Sequence, residues 1–345
     1  GSRSALHPSR AGTKGGSLAR PQLRRTGLRM MSDGDFADWK ANTAFLFPGQ
    51  GAQYVGMSGQ LVKDVPKAKE LFDKAAEVLG YDLLKICVEG PKEKLDSTVY
   101  SQPAIYVSSL AAVERLRQEE GDDAINKATV AAGLSLGEYT ALCFAGAISF
   151  EDGLKVVKVR GEAMQAASEA QDSGMVSIIG LDVDVINKVC ERATELTGSK
   201  IQIANYLCPG NYAVSGAKDA CVKVAEIAKP EFKARMTVPL AVAGAFHTEF
   251  MQPAVSELEK ALASIEVKKP RIPVISNVDA KPHSDPEVIK KILTQQVTSP
   301  VMWEKTINEM MDRGYEEGYE LGPGKVVAGI VKRVNKAAAI KNIEA

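Results

Sequence analysis

At 345 residues, 45% hydrophobic and 25% charged, the chain has the composition of an ordinary globular protein, with room for one large domain carrying an insert or for two domains, and no run of about 18 apolar residues that would argue for a membrane span. Its five cysteines (Cys87, Cys143, Cys190, Cys208, Cys221) are scattered and lack CxxC spacing, which argues against a disulfide framework or a zinc site. The formal net charge of zero hides an asymmetry: seven Lys or Arg and no acid occupy residues 1–32, leaving 36 basic against 43 acidic residues in a body of net −7, which lacks the concentrated basic face that nucleic-acid binding requires.

Taken in chain order, the acid-free N-terminus has the composition of an organelle transit peptide, and Gly1-Ser2, without an initiator Met, reads as a cloning scar in front of it. Met31–Lys40 is polar and aperiodic, so residues 1–40 are expected to be a disordered remnant and linker. An apolar strand over Thr43–Phe47 runs into the glycine-rich turn Pro48-Gly49-Gln50-Gly51. Helical periodicity follows over Lys67–Leu79 and Pro103–Arg117, with Pro103 placed as a helix start. A second short strand, Ala128–Ala132, ends in Gly133-Leu134-Ser135-Leu136-Gly137, and helical spacing resumes at Glu138. Strands alternating with helices predict an α/β fold with a parallel core sheet. Residues 174–240 change rhythm. Strands over Met175–Leu181, Ile201–Asn205, Tyr212–Gly216 and Arg235–Leu240, with helices over Val183–Leu196 and Lys218–Ala228, give the β-α-β-β-α-β order of a ferredoxin-like unit. The expected architecture is therefore a large, α/β-hydrolase-like domain (residues 41–173 and 241–340) with a small ferredoxin-like subdomain (174–240) inserted into it.

The chemistry concentrates at Gly133-x-Ser135-x-Gly137, between a predicted strand and a predicted helix. Such an elbow lifts a serine hydroxyl above the sheet and turns the following backbone N–H groups towards the same space, where the positive end of the helix helps them hold an oxyanion. A nucleophilic serine needs a base. Of three histidines, His7 lies in the basic tail and His283 in a turn-rich loop expected to be solvent-exposed, whereas His247 sits where the insert rejoins the large domain, a natural place for a cleft. No acid is obviously placed to orient His247: Glu138 is expected to point along its helix, and a backbone carbonyl would serve as well. Gln50, at the carboxyl edge of the first strand, fits a second oxyanion donor better than a phosphate cradle, since the turn lacks the P-loop lysine. Arg160, on a partly buried helix, needs an anionic partner, either an internal glutamate or a substrate carboxylate.

Together these motifs resemble those of the malonyl-CoA:acyl carrier protein transacylases, over Thr43 to Lys336. The resemblance rests on Phe47-Pro-Gly-Gln-Gly-Ala-Gln-Tyr-Val-Gly-Met57, Ser101-Gln102-Pro103-Ala104, the elbow through Leu142, Arg160-Gly-Glu-Ala-Met164, Asn205, Ala245-Phe-His247, Gln296-Val-Thr-Ser-Pro-Val-x-Trp303 and Leu321-Gly-Pro-Gly-Lys325. It implies Ser135 as the acylated nucleophile and His247 as its general base and acid. It also implies the N–H groups of Gln50 and Leu136 as the oxyanion hole, and Arg160 as partner of the malonyl carboxylate. Gln296 would orient His247 through its backbone carbonyl, and Phe246 would disfavour a branched acyl group; Gln102 and Asn205 would join the substrate site. The chain departs from the family in one place: Leu134 stands where a His often precedes the serine. The implied partners are malonyl-CoA and acyl carrier protein, with no cofactor, metal, nucleic acid or membrane, and a monomer is expected. Acyl carrier proteins are acidic, which makes Lys233, Arg235, Lys268, Lys269 and Arg271 candidates for the cleft mouth. The tail and Leu134 favour a plastid, with the mitochondrial matrix as the alternative. A hydrolase sharing GxSxG would place an acid between Ser and His and would lack Arg160; a scaffold without activity would not need Ser135, His247 and Arg160 intact.

Overall fold

Two short apolar runs lie at the centre of the molecule. In a computed structural model describing residues 34–345, Thr43–Phe47 (β1) and Val130–Gly133 (β2) are parallel neighbours, from Ala44 opposite Val130 to Phe47 opposite Gly133. Every residue of both strands is buried. Because side chains alternate along a strand, Phe45 and Phe47 enter one apolar cluster, while Ala44 and Leu46 enter another on the opposite face. A strand covered on both faces needs an unbroken apolar run, which these sequences supply.

The insert follows as Ser173–Ile179 (β3), the helix Val183–Thr197, Ile201–Cys208 (β4), Asn211–Ala217 (β5), the helix Lys218–Ile227 and Met236–Pro239 (β6). These strands form a separate antiparallel sheet in the order β4-β5-β3-β6. The unit has its own core, with Val176, Ile178, Ile186, Val189, Val214 and Val224 among its members. The chain then returns as Val274–Ile275 (β7), Glu317–Leu321 (β8) and Ala339–Ile343 (β9), completing a five-stranded, wholly parallel sheet in the order β7-β2-β1-β8-β9. A parallel sheet joined through helices, beside a smaller antiparallel one, is the architecture expected from the sequence.

Three local expectations change. The helix placed at Pro103 starts five residues earlier, at Thr98, and runs to Glu120 with Pro103 inside it. Its segment from Ser101 to Val113 is buried on every face, so it carries no amphipathic stripe to mark its start. Residues 34–40, expected as linker, begin with a 3-10 turn at Gly34–Phe36, after which Trp39 is buried beneath the Arg313 guanidinium, 4.6 Å from the ring centre. His283 is buried, with Nε2 2.9 Å from Asp279 Oδ2: turn-forming residues mark where the backbone bends, not whether it is exposed. The basic segment at residues 1–32 lies outside the described residues, and no described helix is long and apolar enough to cross a membrane.

Candidate active site

β1 and β2 end side by side, and the turns that follow them build one wall of a cavity. After β2 the chain reverses through Ser135, whose φ of +53° lies in the left-handed region that side chains avoid, into the helix Gly137–Phe144. The glycines at 133 and 137 are steric requirements. A Cβ on Gly133 would overlap the Gly137 carbonyl group, and one on Gly137 would strike the Phe47 carbonyl oxygen. The Asn277 side chain, just past β7, bridges the reversal: the Ser135 N–H donates to its Oδ1 (2.7 Å), and its Nδ2 donates to the Gly133 carbonyl (2.7 Å). Among the described residues, neither the Leu136 nor the Gln50 N–H donates to a protein acceptor, and both residues line the cavity beside Ser135.

His247 reaches the same space from where the insert rejoins the large domain. Its Nε2 lies 2.8 Å from Ser135 Oγ and its Nδ1 2.8 Å from the Gln296 carbonyl. Gln296 is the last residue of the helix Pro286–Gln296, so this carbonyl is one of those left without an intrahelical partner. A carbonyl only accepts, so Nδ1 carries the proton and Nε2 turns its lone pair to the serine hydroxyl. Like Ser135, His247 has a positive φ, +60°. Burial lowers the imidazole pKa to about 4, helped by the nearby positive Arg160. Glu249, two residues on, pairs with Lys200 at the surface.

Arg160, fully buried on the helix Phe150–Ala170, completes the group. Its Nη1 donates to Gln102 Oε1 (2.8 Å), and its Nη2 donates to Gln296 Oε1 (2.8 Å) and Ser135 Oγ (3.2 Å). Its Nε has no hydrogen-bond partner among the described residues; its two shortest hydrogen bonds go to neutral amide oxygens, the Tyr139 ring lies 5.4 Å from the guanidinium, and Glu138 acts on the charge through space without a direct bond. Burial alone lowers its pKa. Phe246, Asn205, Met164, Met175, Leu240 and Val242 close the cavity, whose volume is about 90 Å³. Asn205 Oδ1 is buried there without a partner among the described residues. Leu134 turns its side chain into the apolar cluster behind β2, supporting the wall.

Two participants were not legible in the sequence. For Asn277 the usable signal is an Asn directly after an apolar run at the carboxyl edge of a parallel sheet. Glu138 does not point along its helix. It folds back beneath the elbow, where Oε2 accepts from the Asn277 N–H (3.1 Å) and from Gln296 Nε2 (2.7 Å), and burial pushes its pKa up to about 7. The basic candidates divide. Lys268 and Arg271 are tied by their N–H groups to Ala147 and Ala145, at the far end of the helix whose near end holds the serine, and Lys269 pairs with Asp35. These three are away from the cleft. Lys233 and Arg235 are exposed, beside the edge strand β6.

A serine on a tight strand-to-helix turn, with an imidazole at its hydroxyl and free N–H groups beside it, is the construction of an acyl-transferring enzyme. The chain matches the family described as acyl transferase domain over residues 44–344. It is 43% identical, over 306 residues, to the mitochondrial malonyl-CoA-acyl carrier protein transacylase of Homo sapiens, an alignment covering 86% of this chain and 78% of that one. The Bacillus subtilis malonyl CoA-acyl carrier protein transacylase is 41% identical, with coverage of 85% and 90%. Among solved structures, the transacylase of Coxiella burnetii superposes with a TM-score of 0.83 at 35% identity, covering 88% of this chain and 94% of that one. A malonyl-transacylase in complex with its type II polyketide-synthase acyl-carrier protein superposes with a TM-score of 0.82 at 34% identity, with coverage of 87% and 95%. The chain therefore belongs to the malonyl-CoA:acyl carrier protein transacylase family.

Proposed function

We propose that the chain transfers the malonyl group of malonyl-CoA to the phosphopantetheine thiol of acyl carrier protein through a malonyl ester on Ser135, supplying fatty acid synthesis. The observation that carries this reading is the convergence of His247 Nε2 (2.8 Å) and Arg160 Nη2 (3.2 Å) on one serine hydroxyl. His247 takes the Ser135 proton as Oγ attacks the thioester carbonyl. The N–H groups of Gln50 and Leu136 hold the oxyanion, an effect worth about 3 kcal/mol per preorganised donor. Collapse of the tetrahedral intermediate breaks the C–S bond, and coenzyme A leaves as its thiol with the proton from His247. The thiol of the carrier protein then gives its proton to His247 and attacks the ester, and Ser135 Oγ regains the proton as it leaves. Arg160, whose protein partners are neutral, supplies a positive charge for the free carboxylate of malonyl. Acetyl-CoA leaves that charge unpaired and is rejected. Phe246 and Asn205 shape the acyl end of the cavity.

The test is intact-protein mass spectrometry after brief mixing with malonyl-CoA or acetyl-CoA. A stoichiometric malonyl adduct on Ser135, scarce with acetyl-CoA and shifted towards acetyl in Arg160→Ala, is the expected result. Equal labelling by both donors, unchanged in the variant, would return Arg160 to a structural role, and no adduct with either would end the covalent mechanism.

Of the two destinations raised by the N-terminal composition, we infer the mitochondrial matrix ahead of the plastid. Relatives from Homo sapiens, Mus musculus and Drosophila melanogaster are named mitochondrial. A fluorescent reporter fused to the C-terminus of the chain is expected to follow a mitochondrial dye; coincidence with chlorophyll would restore the plastid. A monomer remains our reading of the oligomeric state.

A further inference from the structure

One carboxylate lies beneath the site and touches none of the reacting atoms. Glu138 is 3% exposed, and its Oε2 receives two donors, the Asn277 N–H and Gln296 Nε2. Gln296 Nε2 donates a second time, to the Ser135 carbonyl (3.1 Å). Both acceptors lie on one side of the Gln296 amide. The NH2 end must therefore face them, and the carbonyl end must face Arg160, where Oε1 accepts from Nη2 at 2.8 Å. With the amide reversed, an NH2 group would face the guanidinium and a carbonyl would face a carboxylate, leaving donors and acceptors unmatched on both sides. One of the two neutral oxygens that aim Arg160 would be lost. We propose that Glu138 is a positioning residue that fixes the polarity of the Gln296 amide and, through it, the aim of Arg160 at an acyl group on Ser135. This rests on the reading of Arg160 given above. Glu138 thereby sets malonyl selectivity without touching substrate.

What the device needs is an acceptor at a fixed reach, and two conservative variants separate reach from charge. Glu138→Gln keeps a carbonyl oxygen at full length. Two donors converge on that position, so the oxygen and not the NH2 takes it. Glu138→Asp keeps the carboxylate but withdraws it by one methylene, about 1.5 Å. The readout is the ratio of Ser135 acylation rates with malonyl-CoA and acetyl-CoA, measured on variants whose circular dichroism and thermal melts show a folded protein. The expected result is a ratio near wild type in Glu138→Gln and one lowered about tenfold in Glu138→Asp, the size of one lost hydrogen bond to a charged group. Retention in Asp with loss in Gln would show that the charge itself acts on Arg160, and would overturn the proposal. So would an unchanged ratio in both variants, or an equal loss in both. A wild type that is acylated without preference would refute the role of Arg160 and this inference with it, whereas a selective wild type with insensitive variants would refute this inference alone.

Discussion

His247 and Glu138 are both buried within the same site, and burial moves them in opposite senses because it disfavours a cation in one and an anion in the other. His247 falls from 6.5 to about 4, so between those values the unfolded chain holds a proton that the native protein does not. The stability it contributes is full above pH 6.5 and is lost as the pH drops towards 4. Glu138 rises from 4.5 to about 7, so here the native protein holds the extra proton, and its contribution is full below pH 4.5 and lost as the pH climbs to 7. Each group alone tilts stability by about 1.4 kcal/mol per pH unit, and the tilts cancel where the windows overlap. Thermal melts between pH 4.5 and 6.5 are therefore expected to slope upwards with pH in Glu138→Gln, downwards in His247→Gln, and more gently than either in the wild type. Parallel curves in all three would mean that burial does not set these protonation states.

The elements that hold the site are legible where the determinants are local. Ala44–Phe47 is an unbroken apolar run and, with the β-branched Thr43 ahead of it, becomes the strand Thr43–Phe47. The Gly133-x-Ser135-x-Gly137 turn is readable because its glycines are demanded by contacts within a few residues and with the adjacent strand. Gly133→Ala is expected to destabilise the protein by about 3 kcal/mol, since the added methyl meets backbone that cannot step aside; denaturant titration measures it, and a shift below 1 kcal/mol would show that the elbow can open. The bridge through Asn277 is less legible. Its two bonds to the elbow span 142 and 144 residues, and nothing near Asn277 in sequence announces them. The placement of Glu138 is illegible for the same reason: its Oε2 serves Asn277 and Gln296, 139 and 158 residues away. His283 shows the reverse: its loop composition suggests exposure, whereas Asp279, four residues back, holds the ring inside.

At the scale of the whole molecule, the parallel sheet supplies a rigid edge and the antiparallel sheet supplies the opposite wall, through Met175 on β3 and Leu240 and Val242 just past β6. Ser135 and His247 therefore come from segments that meet only when the fold is complete, and both are held at φ values, +53° and +60°, that an L-residue adopts at a cost of about 1 kcal/mol or more each. The surrounding packing supports that cost. Replacing Ser135 with glycine, which accepts this conformation freely, is expected to remove all acyl-enzyme formation while raising the unfolding free energy by about 1 kcal/mol, read as a higher melting temperature. A lower one would mean that the hydroxyl's bonds outweigh the backbone strain. Heat tolerance and turnover thus point in opposite directions at this residue. A library of variants sorted only for survival at high temperature would enrich the chains that have discarded Ser135, and any effort to harden this enzyme must select for activity at every round.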